Sequence, residues 1–173
     1  MPGLEKSTRA KEIYEETVEI EKHLHTNERW FGIAVTPSLP THVADNILTA
    51  VSPFQIDAGN DTWGTWVQIL GSNDTPMQSG MTKWDLDELQ MTGNEKNADY
   101  FIQIGFGASG ADAISNETYT EKVLTFDGIN TEKFFNIKSR RHNAGSLVWA
   151  RCKCPGQNTA TLDFYFGLHE YLE

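Results

Sequence analysis

Cysteine is almost missing from this chain: two residues, Cys152 and Cys154, in 173. They stand two apart in WARCKCPG. On a strand that spacing puts both side chains on one face but holds them too far apart to bond each other, so a disulfide framework is excluded and a reduced pair is expected. Positive charge is scarce as well. Fourteen Lys and Arg against 24 Asp and Glu leave a formal charge of −10, which argues against nonspecific binding to nucleic acid or to an anionic membrane, since both depend on excess positive charge. Long apolar runs are absent, and the first residues, MPGLEKSTRAKEIYEE, are charged where the apolar centre of a secretory signal would sit. A protein made in the cytoplasm is expected. The sequons at Asn60, Asn73 and Asn116 then read as turn chemistry.

Catalytic motifs are lacking too. There is no G-x-S-x-G, because GASGA misplaces Ser109, and no H-E-x-x-H or EF-hand loop. His23 and His25 are two apart on an expected helix and share no face. His42 precedes VADNIL, read as a loop or short helix, and is assigned a surface or capping contact. His142 and His169 lie outside any ligand motif. His169 and Glu170 are neighbours on an expected strand and point to opposite sides, which argues against an acid–base couple. Asp85, Asp87 and Glu88 in KWDLDELQ bring a glycosidase pair to mind, but alternation with Trp84 and Leu86 makes them the wet side of a half-buried strand. Asp57, Asn60 and Asp61 in DAGND, with Asn73 and Asp74 in SNDTP, offer oxygen ligands for calcium; an Asx-type turn is the preferred reading. No enzyme activity, cofactor or metal is expected.

One motif is present and has to be weighed. Gly105, Gly107 and Gly110 in YFIQIGFGASGADAIS spell G-x-G-x-x-G, the pattern of a dinucleotide-binding loop. Such a cradle needs a strand before it, a helix opening at the last glycine and a parallel strand after it. The strand is legible in the alternation of Tyr100, Ile102, Ile104 and Phe106. Only residues 111–118 separate Gly110 from the next strand-like run, too few for a parallel crossover. An antiparallel hairpin is therefore expected, with the glycines supplying positive φ.

The remaining sequence divides into a helical arm over 1–28 and a body over 29–173. Between residues 7 and 25, Ala10, Ile13, Tyr14, Thr17, Ile20 and Leu24 recur at helical spacing while Glu12, Glu15, Glu16, Glu19 and Lys22 fall mostly elsewhere on the wheel. The body shows short β-rich runs at 30–36, 47–56, 62–70, 83–91, 100–106, 118–126, 133–138, 146–154 and 161–171, broken by Gly, Pro, Asn and Asp. The expected class is mainly β, an antiparallel β-sandwich or jelly roll of eight or nine strands with an N-terminal helix. The run 62–70 has apolar residues on both parities and reads as covered on both faces. Val148, Ala150, Cys152 and Cys154 share one parity, so the cysteines read as small core residues. Leu162, Phe164, Phe166 and Leu168 form a core stripe, opposite Asp163, Tyr165, His169 and Tyr171. The expected interaction surface is the arm stripe, with Ile13, Tyr14, Ile20 and Leu24, together with Tyr165, His169 and Tyr171. Lys138, Arg140, Arg141, Arg151 and Lys153 form a local basic group, read as the solvated face of two strands.

TWGTWVQILGSNDTP, YFIQIGFGASGADAIS with ETYTEKVL after it, and AGSLVWARCKCPGQNTATLDFYFGLHEYLE resemble a family of small structural proteins of tailed bacteriophages. The resemblance spans residues 29–173 and is one of strand texture, with RCKC a departure from it. It implies a non-enzymatic virion component, an outer capsid decoration or cement protein made in the host cytoplasm. It would contact the major capsid protein and copies of itself, a trimer being the expected oligomer. Ten excess negative charges suit the outside of a DNA-filled shell better than its lumen. A carbohydrate- or receptor-binding sandwich of a virion or tail is the alternative; it would expose aromatic residues such as Trp63, Trp84, Trp149 or Tyr171.

Overall fold

The computed structural model describes residues 29–34, 42–45, 51–70 and 81–171. The arm, with Ile13, Tyr14, Ile20 and Leu24, and the loop carrying Asn73 and Asp74 lie outside these residues. Among them the chain is mainly β. The elements are β1 (Arg29–Ala34), β2 (His42–Asp45), β3 (Val51–Ser52), β4 (Phe54–Gly59), β5 (Val67–Leu70), β6 (Lys83–Asn94) and β7 (Tyr100–Phe106), then a one-turn helix α1 (Gly110–Ser115), β8 (Tyr119–Leu124), β9 (Lys133–Asn136), β10 (His142–Asn143), β11 (Val148–Lys153) and β12 (Ala160–Tyr171). They form one sheet, in the order β10-β6-β12-β4-β11-β7-β8. It is mixed rather than wholly antiparallel, because β4 and β11 run parallel through Ala58↔Cys152 and Gly59↔Lys153.

The sheet curls until its two ends meet. His142 of β10 stacks on Phe106 of β7, ring centroids 3.8 Å apart, although five places separate these strands in the sheet order. Trp84 of β6, itself fully buried, lies 6.1 Å from the same Phe106 ring. The concave side of the curl holds the core, into which Phe54, Ile56, Ile102, Ile104, Leu162, Phe164 and Phe166 project. The cysteines are where parity placed them: Val148, Ala150, Cys152 and Cys154 are all buried, and both thiols are free.

β12 organises the sheet. One edge pairs with β6 along its length; the other pairs first with β4 and then with β1. β6 keeps this register by means of two bulges. Its core residues run Trp84 and Leu86, then Leu89 and Met91, then Asn94, so the inward parity switches twice while that of β12 is unbroken. Each extra residue bends the strand and strengthens its twist, which helps a sheet to curl. Because of these switches the period-two pattern ended at residue 91 in the sequence, whereas the strand continues to Asn94.

Several boundaries differ from expectation for local reasons. His42–Asp45 is a strand paired with β1, not a loop or helix. The run 47–56 is divided, with Pro53 between β3 and β4. In 62–70 only Val67–Leu70 is strand, and Val67 is 39% exposed, so the run is not covered on both faces. The connection from β7 to β8 is antiparallel as expected, with Tyr100↔Leu124 through Gly105↔Tyr119 in register. It also holds α1, capped by Ser109, whose hydroxyl accepts from Asp112 N.

Candidate functional site

The convex side of β11, β7 and β8 carries three cross-strand rows. Register places Lys153 beside Phe101 and Val123, Arg151 beside Gln103 and Glu121, and Trp149 beside Gly105 and Tyr119. Alternation alone turns these residues outward, since Cys152, Ile102 and Ile104 between them fill the core. Trp63 and Trp66, on the segment between β4 and β5, lie over the same face. The Arg151 guanidinium sits 5.1 Å from the Trp63 ring centre and 4.4 Å from that of Trp66. The Lys153 ammonium is 4.9 Å from Trp63 and 4.7 Å from Phe101. Arg151 Nε donates to Gln103 Oε1 at 2.8 Å, and Gln103 Nε2 donates to Glu121 Oε2 at 2.7 Å. Partial burial pulls the Arg151 pKa below its usual value, opposed by the charge of Glu121. These cations are therefore half-buried among rings rather than solvated, which corrects the reading of Arg151 and Lys153 as a wet face.

The glycine motif belongs to this face. Of its three glycines only Gly107 has a positive φ, at 155°. At Gly110 a side chain would occupy the place of the Trp66 indole, and at Gly105 it would meet Ala113 of α1 at 2.7 Å and Trp66 at 3.4 Å. Trp149 Nε1 donates to Gly107 O at 3.0 Å and holds the turn from the other side. The motif is a seat for an indole and one helical turn, and the expectation that all three glycines serve positive φ is corrected. At the rim of the face Tyr119 and Val123 stand 40% and 45% exposed. The face thus combines Trp, Tyr, Phe and Arg, the residue types enriched where proteins bind proteins.

A second group lies on the convex side of the β6–β12 pair. Asp85 faces His169 in register, and the first bulge of β6 adds Asp87 on the other side of the ring. His169 Nδ1 is 3.6 Å from Asp85 Oδ1, and Nε2 is 3.6 Å from Asp87 Oδ2. The Tyr171 hydroxyl donates to Asp85 Oδ2 at 2.8 Å, and Arg141 stacks 3.8 Å from the Tyr171 ring centre. Burial raises the Asp85 carboxyl above its usual pKa, against the lowering effects of Tyr171, His169 and Arg141. Burial, with Asp85 beside it, pushes the Tyr171 phenol up to about 12. The imidazole engages a carboxylate on each side and ties β12 to β6. A cleft of about 220 Å³ opens beside it, lined by Asp87, Lys138 and Ser139 among others.

Of the expected surface residues on β12, Tyr165 and Tyr171 are buried within the chain, and His169 remains partly exposed. Glu170 lies on the opposite parity and is buried. Of the residues weighed as calcium ligands and read as turn chemistry, Asp61 Oδ1 accepts from Gly156 N at 2.9 Å and Asn60 Nδ2 donates to Asn158 Oδ1 at 2.7 Å, fastening the β4 turn to the β11–β12 turn. No group of three or more His, Cys, Asp or Glu is placed to hold a metal among the described residues. The reading from sequence missed Trp66, Gln103 and Glu121 on the aromatic face, and missed the Asp85–His169 pair, whose members are far apart in the chain. Compared with known proteins, the chain matches no family model and no curated sequence.

Proposed function

We propose that this chain is a non-enzymatic structural protein of a tailed-phage virion, an outer capsid decoration or cement protein that works through contacts with the major capsid protein and with copies of itself. In this reading the curled sheet is the sandwich- or jelly-roll-like body and residues 1–28 are a helical arm. The observation that carries it is the convex face with Trp63, Trp66, Phe101, Trp149 and Arg151, rimmed by Tyr119 and Val123. Rigid aromatic rings and a stacked guanidinium present contact area with little side-chain entropy left to lose, as an assembly surface requires.

The resemblance in strand texture supplies the virion context. Ten excess negative charges favour the outside of a DNA-filled particle. The test is mass photometry of the purified protein alone, followed by co-sedimentation with capsids of the phage that encodes it, for wild type and Trp63→Ala. Binding to capsids that Trp63→Ala weakens supports the proposal. A folded wild-type protein that neither self-associates nor binds capsids overturns it.

Trp63 and Trp149 are half-buried on the same face, which keeps a second reading in play, that of a carbohydrate- or receptor-binding module. Trp84 and Tyr171 do not contribute to such a platform, since both are buried. A glycan array that returns a saturable ligand, lost in Trp63→Ala, would favour this reading.

A further inference from the structure

The two ends of the curled sheet leave a pocket of about 150 Å³ at their seam. One wall is the end of β7 and the start of β8, with Phe106, Thr118 and Thr120; the other is the segment leading into β10, with Lys138, Arg140 and His142. Arg140 crosses the seam and donates through Nη2 to Glu117 O at 2.9 Å, using one of its five N–H groups. Among the described residues neither Lys138 nor Arg140 has a carboxylate partner. The His142 ring is held against Phe106 at an interplanar angle of 15°. Its Nε2 is buried and, among the described residues, makes no hydrogen bond. In a chain with a net charge of −10, two cations and Thr120 line one small cavity whose lining includes no carboxylate.

We propose that this seam pocket binds a compact oxyanion, with Lys138 and Arg140 supplying charge, the Thr120 hydroxyl supplying a hydrogen bond, and the His142 ring forming part of the wall beside it. At about 30 Å³ of liquid volume per water, the cavity has room for about five waters, enough for a tetrahedral or carboxylate anion. The arginine fork suits two oxygens of one such group. The chain's overall negative field opposes the anion, so affinity is in the millimolar range. Because the pocket joins the last strand pair of the sheet to its first, an anion there fastens the curl shut. The same chemistry can come from free phosphate or from an acidic side chain of another copy. The site does not depend on the virion reading.

The test follows the His142 imidazole by ¹H–¹⁵N NMR in the full chain. One arm adds inorganic phosphate against chloride at matched ionic strength. The other raises protein concentration with no added anion. A saturable His142 shift with phosphate, weakened about tenfold or more in Arg140→Gln and in Lys138→Gln, supports the site with free phosphate as its source. A shift that appears only with protein concentration, and is lost in the same variants, supports it with a carboxylate as the source. Absence of both shifts, an equal shift with chloride, or shifts unchanged in both variants would overturn it. Wild-type-like spectra elsewhere in each variant keep loss of fold from being mistaken for loss of binding.

Discussion

The indole of Trp66 occupies the space that a side chain on Gly110 would need. The contact joins the segment before β5 to the first residue of α1, two parts of the chain more than forty residues apart. It explains a glycine inside a helical turn, where alanine would otherwise be favoured. Gly110→Ala is therefore expected to destabilise the protein by about 1–3 kcal/mol through overpacking. Trp66→Ala opens that space, so the double variant should lose less than the sum of the two single losses. Urea unfolding of the four proteins measures the coupling, and strict additivity would show that the two residues do not press on each other.

Burial pushes the Cys152 thiol up to about 12 and raises that of Cys154 as well. Little thiolate is then present at neutral pH, so both cysteines should react slowly with thiol reagents in the folded protein and quickly in denaturant. Reductant should leave the melting temperature unchanged. Cys152→Ser is expected to cost about 1–3 kcal/mol by placing a hydroxyl in the core. Rapid stoichiometric labelling of the native protein would contradict this placement.

Burial, helped by Arg140, lowers the His142 pKa from 6.5 to about 4. Between these values the unfolded chain binds a proton that the folded chain refuses. Stability from this group is complete above pH 6.5 and is lost as pH falls toward 4, with a slope of at most about 1.4 kcal/mol per pH unit. His142→Gln should flatten the slope in that window. The measurement is urea unfolding across the window in a buffer free of phosphate, which would otherwise occupy the seam. A wild-type slope identical to that of the variant would rule out His142 as its source.

Deleting residues 1–27 is expected to leave a soluble, cooperatively melting β-protein, because the described core is built from residues 31–168. If residues 7–25 form the amphipathic helix that their spacing predicts, self-association or attachment to particles should weaken, since such a helix is marginal in water and its stripe needs a surface to cover it. Thermal melting and mass photometry of the truncated chain are the readouts. Unfolding would place the arm in the core, and unchanged assembly would remove it from the interface.

Strand after strand was legible wherever side chains alternate in or out without interruption. The parity of Val148 to Cys154 placed two cysteines in the core, and that of Leu162 to Leu168 placed a stripe there, because a strand's period of two is a local property of the backbone. The spacing after Gly110 was enough to indicate an antiparallel return, since chain length limits what a connection can span. What the sequence could not show depends on pairings between distant segments. Nothing near Asp85 in the chain announces His169; the register of β6 on β12, with a bulge at Asp87, brings the three together. Gly105 and Gly110 look like a phosphate loop until Trp66 is seen to fill the space above them. Lys138 and Arg140 read as part of a solvated basic face, and His142 as a histidine outside any ligand motif, until curling carries Phe106 to His142 and closes a seam around them. Where alternation ran unbroken, local chemistry determined the face a strand residue took, and the bulges and curl of the sheet decided the rest and which faces met.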